Sequence, residues 1–346
     1  MDSNSVRSAL PGTSLPAVVP TGVPTDLNQY FKHHSRSFSF AARFFTASDR
    51  ERVCRLYAFC RITDDIVDEA EKSGTPQYDA QEAIAAWKQL VRQSFDGTPS
   101  GIPWLDQLMR ESRAAQTPFE LIGELFKGVE SDLTTVRVST EEELDAYAYR
   151  VGSVVGIWMC YLLGVQSARM HDFAAALGSA MQITNILRDV GQDLDANRVY
   201  IPAVLLSRYG LTIDDVVEMK RSGSISENYV ALLRHLMDTA DSRYERAWEG
   251  LVRLPPRFGL AASIASGVYR GIHREIIRNR YNNLTRRART SSTRKLLLAM
   301  TSWCRLRELR RDLSSGRANV TERPIPGQSR FSPLAEKNPF NHSYRD

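Results

Sequence analysis

Gln182-Ile-Thr-Asn-Ile-Leu-Arg-Asp-Val-Gly-Gln-Asp193 reads as a helix whose buried face changes character along its length. The apolar line of Leu177 and Met181 continues at every fourth residue into Asn185, Asp189 and Asp193. Side chains four apart stand one above the other on a helix, so these groups share a face. A second segment, Tyr57-Ala-Phe-Cys-Arg-Ile-Thr-Asp-Asp-Ile-Val-Asp-Glu69, repeats the pattern. There Val53, Leu56 and Cys60 lead into Asp64 and Asp68, with Tyr57, Arg61, Asp65 and Glu69 in a parallel line. A face that begins apolar belongs to a core, and the carboxylates that extend it point the same way.

Carboxylates one turn apart repel unless a cation lies between them. The donors are all oxygens, with no His or Cys at a ligand spacing, which selects a hard ion such as Mg²⁺, or Mn²⁺ in its place, over zinc or copper. Mg²⁺ held by few carboxylates keeps positions open for phosphate oxygens. Arg61 and Arg188, three and one residues before the first acid of each set, supply further positive charge to the same anion. A lone acidic helix face is commonly just solvated. Two DxxxD pairs, each extending an apolar stripe and each preceded by Arg, point instead to a diphosphate site. An EF-hand lacks its loop glycine and spacing here, and a di-iron bundle lacks its Glu-x-x-His pairs.

Around these segments the spacing predicts helices and no convincing strand. Ser48 and Glu51 read as a capping box opening a helix to about residue 72, and Ser139 and Glu142 as another for a long helix through Leu163. Pro118 starts a helix, Pro103 and Pro118 bracket a short one, and further helices fall at 172–194, 227–252, 257–283 and 291–312. The expectation is an all-α fold, one large helical domain over 27–312, with a disordered Pro-rich leader over 1–26 and a poorly ordered tail over 313–346. The uncharged run Val151 to Ala168 is 18 residues long but carries Gly152, Gly156 and Gly164, and reads as a buried core helix rather than a span.

Of 346 residues 42% are hydrophobic, which excludes a disordered or fibrous chain. The net charge of +5 is unevenly placed: Arg270 to Arg317 holds 14 Lys/Arg against Glu275, Glu308 and Asp312, a local +11, so the remainder sums to about −6. Cys54, Cys60, Cys160 and Cys304 show no CxxC spacing and read as buried apolar residues in a reducing compartment. Residues 1–26, with an early acid and no apolar core, do not read as a secretory signal.

The chain resembles the squalene/phytoene synthase family of head-to-head prenyl transferases. The resemblance is carried by His-Ser-Arg-Ser-Phe (34–38), the 57–68 stretch above, Tyr-Arg-Val-Gly-Ser-Val-Val-Gly (149–156), the 182–193 stretch, Arg-Val-Tyr-Ile-Pro (198–202) and Tyr-Arg-Gly-Ile (269–272). It implies an isoprenoid synthase fold with a central cavity. It further implies that Asp64 and Asp68, with Asp65 beside them, form a first metal-binding set, and Asn185, Asp189 and Asp193 a second. Arg61, Arg188 and the segment His34, Ser35, Arg36 and Ser37 resemble diphosphate contacts, while Tyr57, Gln182 and Tyr269 resemble contacts to substrate or intermediate. The apolar 151–165 helix and the 258–276 helix, with Leu260, Ile264, Val268, Ile272 and Ile276, are the expected tunnel walls.

No nucleotide-binding glycine motif appears, so no NADPH is expected and the resemblance favours phytoene synthesis from two geranylgeranyl diphosphates. A dehydrosqualene or squalene synthase acting on two farnesyl diphosphates is the alternative. Gly152-Ser153-Val154 and Ile157-Trp158-Met159 depart from the Ala-Gly-Thr pattern of many phytoene synthases, on the helix expected to line the tunnel. A non-catalytic basic module binding nucleic acid or lipid through 270–317 is the competing class. No nucleic-acid motif or base-stacking pattern supports the first partner. Peripheral contact of a cytoplasmic enzyme with an anionic membrane suits the second, and the stretch is expected to stand apart from the chemistry except near Tyr269 and Arg270.

Overall fold

The computed structural model describes residues 23–73 and 77–315; most of the expected leader and the tail from residue 316 lie outside the described residues. Among the described residues fourteen α-helices follow in order: α1 (Leu27–His34), α2 (Phe38–Ala41), α3 (Ala47–Ser73), α4 (Gln77–Asp96), α5 (Pro103–Ala114), α6 (Phe119–Glu130), α7 (Glu141–Ala148), α8 (Val154–Leu162), α9 (Ala168–Asp195), α10 (Ala203–Arg208), α11 (Ile213–Ser222), α12 (Glu227–Leu251), α13 (Pro256–Arg278) and α14 (Ser292–Ser314). No strand occurs among the described residues beyond an isolated bridge between Arg137 and Val199. No helix is long and apolar enough to cross a membrane among them either. Of the Val151–Ala168 run only Val154–Leu162 is a regular helix, with Val154, Ile157, Trp158, Cys160 and Leu162 buried, and Gln166, Ser167 and Ala168 are exposed.

The helix starts differ by a residue or two from the capping boxes expected. Thr46, not Ser48, caps α3, its hydroxyl accepting from the Asp49 amide at 3.1 Å. Thr140 caps α7 by accepting from the Glu143 amide at 3.2 Å, and Glu143 reaches back to the Ser139 amide. Both pairs have the hydroxyl-then-acid spacing that satisfies free amides at a helix start; a neighbouring hydroxyl occupies the extended cap position. The expected long helix through Leu163 is broken by a π-turn over Tyr149–Ser153. Helices α1, α2, α4, α10 and α11 have no counterpart among the expected ones.

α9 is the central element, packed on α12, α8 and α13. Its close approach to the π-turn depends on Gly152 and Gly178: a β-carbon on Gly152 would lie 2.5 Å from the Gly178 carbonyl oxygen. A side chain at either position would push the two elements apart. One apolar core gathers around α9, α12 and α13, and a second gathers around α3 to α6 with Trp87, Phe126 and Trp158 fully buried. The second core reaches α9 through α8 and the π-turn. Arg198, which follows α9, bonds Asp68 at 3.1 Å, so the carboxylate-bearing ends of α3 and α9 stand together.

Candidate active site

A cavity of about 710 Å³ runs between these helices. From α3 it is lined by Val53, Leu56, Tyr57, Cys60, Arg61 and Asp64, and from α9 by Leu177, Met181, Gln182, Asn185 and Arg188. Each stripe read from the sequence therefore faces one space, apolar at its start and polar at its end. His34, Ser35, Arg36 and Ser37, between α1 and α2, line the same cavity, as does Tyr269 from α13. Asp65, Asp68, Asp189 and Asp193 lie further along α3 and α9, outside the lining.

Arginines serve as counter-ions to these acids. Arg61 pairs with Asp65 and stands 3.9 Å from Asp68. Arg188 makes a two-pronged pair with its neighbour Asp189, at 2.9 and 2.5 Å. Arg198 bonds Asp68 at 3.1 Å, tying α3 to the chain after α9. Tyr30 donates to Asp65 at 3.2 Å. Burial raises the Asp64 carboxyl to about 8, with Arg61 opposing and Asp68 and Asp132 adding to the rise. Burial raises Asp193 to about 8 as well, helped by Asp189 and opposed by Arg198 and Arg188. Burial lifts the Tyr269 hydroxyl to about 12 although the Arg188 guanidinium opposes it. The imidazole of His34 is held below its ordinary value, first by burial and then by Arg61.

Four residues absent from the sequence-derived site belong to it. Asp132, on the 3₁₀ turn after α6, accepts hydrogen bonds from Tyr147 at 2.9 Å and Tyr200 at 2.8 Å. Its charge acts on both Asp64 and Asp193, so it joins the two acidic sets. Arg198 opens the quoted Arg-Val-Tyr-Ile-Pro motif, which offered a signal. Arg287, in the loop after α13, bonds Asp189 at 2.8 and 3.1 Å and lines the cavity. Lys295 at the start of α14 lines it too, with its ammonium pKa lowered by burial and then by Arg36. These last two correct the reading that the basic stretch stands apart from the chemistry. Arg270, expected nearest to it, instead pairs with Asp241 and Glu245.

Beyond the polar end the cavity is apolar and walled by Gly152, Val155, Gly156 and Met159 on one side. On α13 the apolar wall is Phe258, Ala261, Ala262, Ala265 and Ile272; of the expected stripe only Ile272 faces the cavity. Leu260, Ile264, Val268 and Ile276 belong to the other face of α13, packed in the core. Ser153, Val154, Ile157 and Trp158 also turn away, Trp158 donating to Ser112 at 2.9 Å. The departure at 152–159 therefore touches the wall mainly through Gly152 and Met159. Cys54 and Cys160 are buried as expected, whereas Cys60 is half-buried and Cys304 is exposed.

The donor set fits a hard divalent cation. Asn185 donates to Gln182 at 3.2 Å, yet its buried side-chain oxygen accepts from no partner, leaving a free oxygen donor at the cavity wall. On the same helix Arg188 and Asp189 follow one turn on. Among the described residues no three His, Cys, Asp or Glu side chains converge on one point, because arginines hold the acids in pairs.

A model of the squalene/phytoene synthase family matches residues 31–294, and the chain belongs to that family. The phytoene synthase of Thermus thermophilus is 35% identical, over 79% of this chain and 89% of that protein. The 15-cis-phytoene synthase of Enterobacter agglomerans is 31% identical, over 76% and 89%. Among solved structures, a dehydrosqualene synthase in complex with ligand matches with a TM-score of 0.72 at 24% identity, over 82% of this chain and 95% of that one. A squalene synthase from Alicyclobacillus acidocaldarius matches with a TM-score of 0.65 at 23% identity, over 74% and 93%. The fold is thus the all-α isoprenoid synthase type.

Proposed function

We propose that the protein condenses two geranylgeranyl diphosphates head to head, C1′ to C1, through a cyclopropylcarbinyl diphosphate, to give phytoene for carotenoid biosynthesis. The observation that carries this reading is the cavity whose polar end gathers Asp64, arginines and a lysine, with the other acids just beyond it on α3 and α9, and whose remainder is apolar. That is the shape of a lipid diphosphate. The relatives named as phytoene synthases favour the C20 substrate; a dehydrosqualene or squalene synthase acting on farnesyl diphosphate is the second reading, favoured by the structural neighbours.

Asp64 and Asp68 from α3, with Asn185, Asp189 and Asp193 from α9, would hold Mg²⁺, whose chemistry is to neutralise a departing diphosphate. Arg61, Arg188 and Arg287 supply fixed guanidinium donors to the same anion, and Arg36 and Lys295 add charge beside them. The allylic C1–O bond ionises and the diphosphate stays at the polar end. The C2=C3 double bond of the second substrate attacks the cation, and proton loss closes the cyclopropane. A second ionisation and rearrangement joins the two C1 carbons, and a further proton loss gives the central triene, with no reductant. The apolar walls keep water from the cation. Tyr57, Gln182 and Tyr269 line the passage from the polar to the apolar end, where the reacting carbons would lie. Four free thiols suit a reducing compartment, and we place the protein in the cytoplasm, in peripheral contact with anionic membrane and not with nucleic acid.

The test is incubation with Mg²⁺ and either radiolabelled geranylgeranyl or farnesyl diphosphate, with and without NADPH, followed by product chromatography. A C40 triene without NADPH is expected. A C30 product would promote the second reading, and no diphosphate release under any condition would overturn both.

A further inference from the structure

Helix α14 buries Lys295, Ala299, Ser302 and Leu306 against α13, at the spacing of one helical face. Its other face carries large apolar side chains among its arginines. Leu296, Leu297, Met300 and Trp303 are 65, 55, 56 and 45% exposed. Only three other large apolar side chains among the described residues are comparably bare: Val204, Val217 and Ile277. Single exposed leucines are ordinary on a soluble protein, but four large apolar groups within eight residues on one helix face are a surface made to be covered.

The charge around this face states what covers it. Exposed Arg274 on α13, and Arg286 and Arg289 in the loop leading into α14, carry no ion pair among the described residues. Arg307 lies over the Trp303 ring at 5.6 Å, and exposed Arg311 follows one turn later. Against these stand Glu308 and Asp312 on α14 itself, while Glu275 is already engaged by Arg278 and Arg294. A second copy of this chain would bring one basic rim against another across a symmetric interface, which like charge opposes. Leu, Met and Trp flanked by arginines are the composition of a helix lying in a lipid headgroup layer. The face also adjoins the active-site cavity, because Arg289, Thr290 and Lys295 line that cavity and Lys295 immediately precedes Leu296.

We propose that the exposed face of α14, centred on Leu296, Leu297, Met300 and Trp303, seats the protein on an anionic phospholipid bilayer with the cavity beside the lipid surface. The surface stands on its own observations; only its use, taking up lipid diphosphate and delivering lipid product, rests on the proposed function.

The full chain is tested by flotation with phosphatidylcholine vesicles with and without phosphatidylglycerol. Binding is expected with the anionic lipid, weakened but not abolished by salt because the apolar face contributes independently of charge. Leu296→Ser/Leu297→Ser/Met300→Ser is expected to lower binding about tenfold or more. The triple variant should melt with the parent and turn over detergent-dispersed substrate unchanged, since none of its residues lines the cavity. Brominated lipid should quench the parent's fluorescence and quench Trp303→Phe much less. Arg307→Glu/Arg311→Glu should weaken only the anionic-lipid component. Equal flotation of parent and triple variant would overturn the proposal. So would a lipid-free dimer in analytical ultracentrifugation that the triple variant dissolves, which would assign the face to a second copy. Loss of turnover in every protein while flotation behaves as described would count against the proposed function alone.

Discussion

Arg287, from the basic stretch that follows α13, clasps Asp189 of α9 with Nε at 2.8 Å from Oδ1 and Nη2 at 3.1 Å from Oδ2. Asp189 also holds its neighbour Arg188, so one carboxylate carries two guanidinium groups. A metal ion taking Asp189 as a ligand must displace at least part of that shell. On the proposed function, the arginines so freed would be available to the diphosphate.

Arg287→Ala should therefore move two constants in opposite directions. Without substrate, the variant should bind Mg²⁺ more tightly, because a competitor for Asp189 has gone. With substrate, KM should rise about tenfold, the scale of one lost charge-assisted hydrogen bond. Arg287→Lys should fall between, keeping the charge but not the fork. Metal titration by calorimetry and steady-state kinetics read the two effects. A variant that weakened both constants together would show that Arg287 only supports the fold.

The acids predict a pH dependence of metal binding. Asp64 and Asp193 are each raised from an ordinary 3.8 to about 8 in the metal-free chain, chiefly by burial. Between those values the folded chain binds more protons at these groups than the unfolded chain does. Their contribution to stability is thus fully present below about 3.8 and is lost as pH rises through about 8. Mg²⁺ must find them ionised, so its affinity should climb with pH towards about 8 and its binding should release protons. Calorimetry in buffers of different ionisation enthalpy measures that release. Heats independent of buffer at neutral pH would rule it out.

The two acidic sets were legible because they lie on regular helices, where a period of four carries the apolar stripe into the polar one. Asp132 had no such frame. It sits on a 3₁₀ turn, and its place between the sets depends on how α6 meets the chain at Tyr147 and Tyr200. Arg287 and Lys295 were hidden because the sign of a stretch does not say which of its members turn inward. The wall on α13 was misplaced for a different reason. Both faces of α13 are buried, so size alone does not separate core from cavity, and Ala261, Ala262 and Ala265 line the cavity together with Phe258, Tyr269 and Ile272. The caps slipped because Thr46 and Ser48, like Ser139 and Thr140, are both competent hydroxyls, and only the backbone angle selects one.

That alanine wall sets the third prediction. Ala262 lies seven residues, about 10 Å along the helix, from Tyr269 towards the apolar end. Ala262→Phe should fill the passage there and penalise the longer prenyl chain more than the shorter. Overpacking costs about 1–3 kcal/mol, so relative kcat/KM for C20 over C15 should fall about tenfold. Competition between the two labelled diphosphates measures the ratio. An equal loss on both would place the bulk away from the chain path.

The last prediction concerns what holds α9 against α12 and α13. His273, buried on α13, places Nδ1 3.1 Å from Asp241 on α12 and Nε2 3.0 Å from the Thr184 hydroxyl on α9. Tyr244 on α12 meets that hydroxyl at 3.0 Å, and Arg270 holds Asp241 with both prongs at 3.0 Å. An ionised Asp241 only accepts, so Nδ1 carries a proton. The Thr184 hydroxyl donates its one proton to the Ala180 carbonyl at 2.8 Å, so towards Tyr244 its oxygen accepts. Thr184 precedes Asn185, so this network also fixes the turn of α9 that presents the second acidic set. His273→Ala empties buried space and strips a partner from both neighbours, and should cost about 2–4 kcal/mol of stability. Although burial opposes it, hydrogen bonds from His273 and Arg270 hold Asp241 below its ordinary 3.8. Its share of stability is therefore present above that value and lost as pH falls below it. Denaturation curves of the parent and Asp241→Asn should accordingly differ near neutrality and converge in acid; a gap that persists in acid would mean that packing, not charge, is what Asp241 supplies.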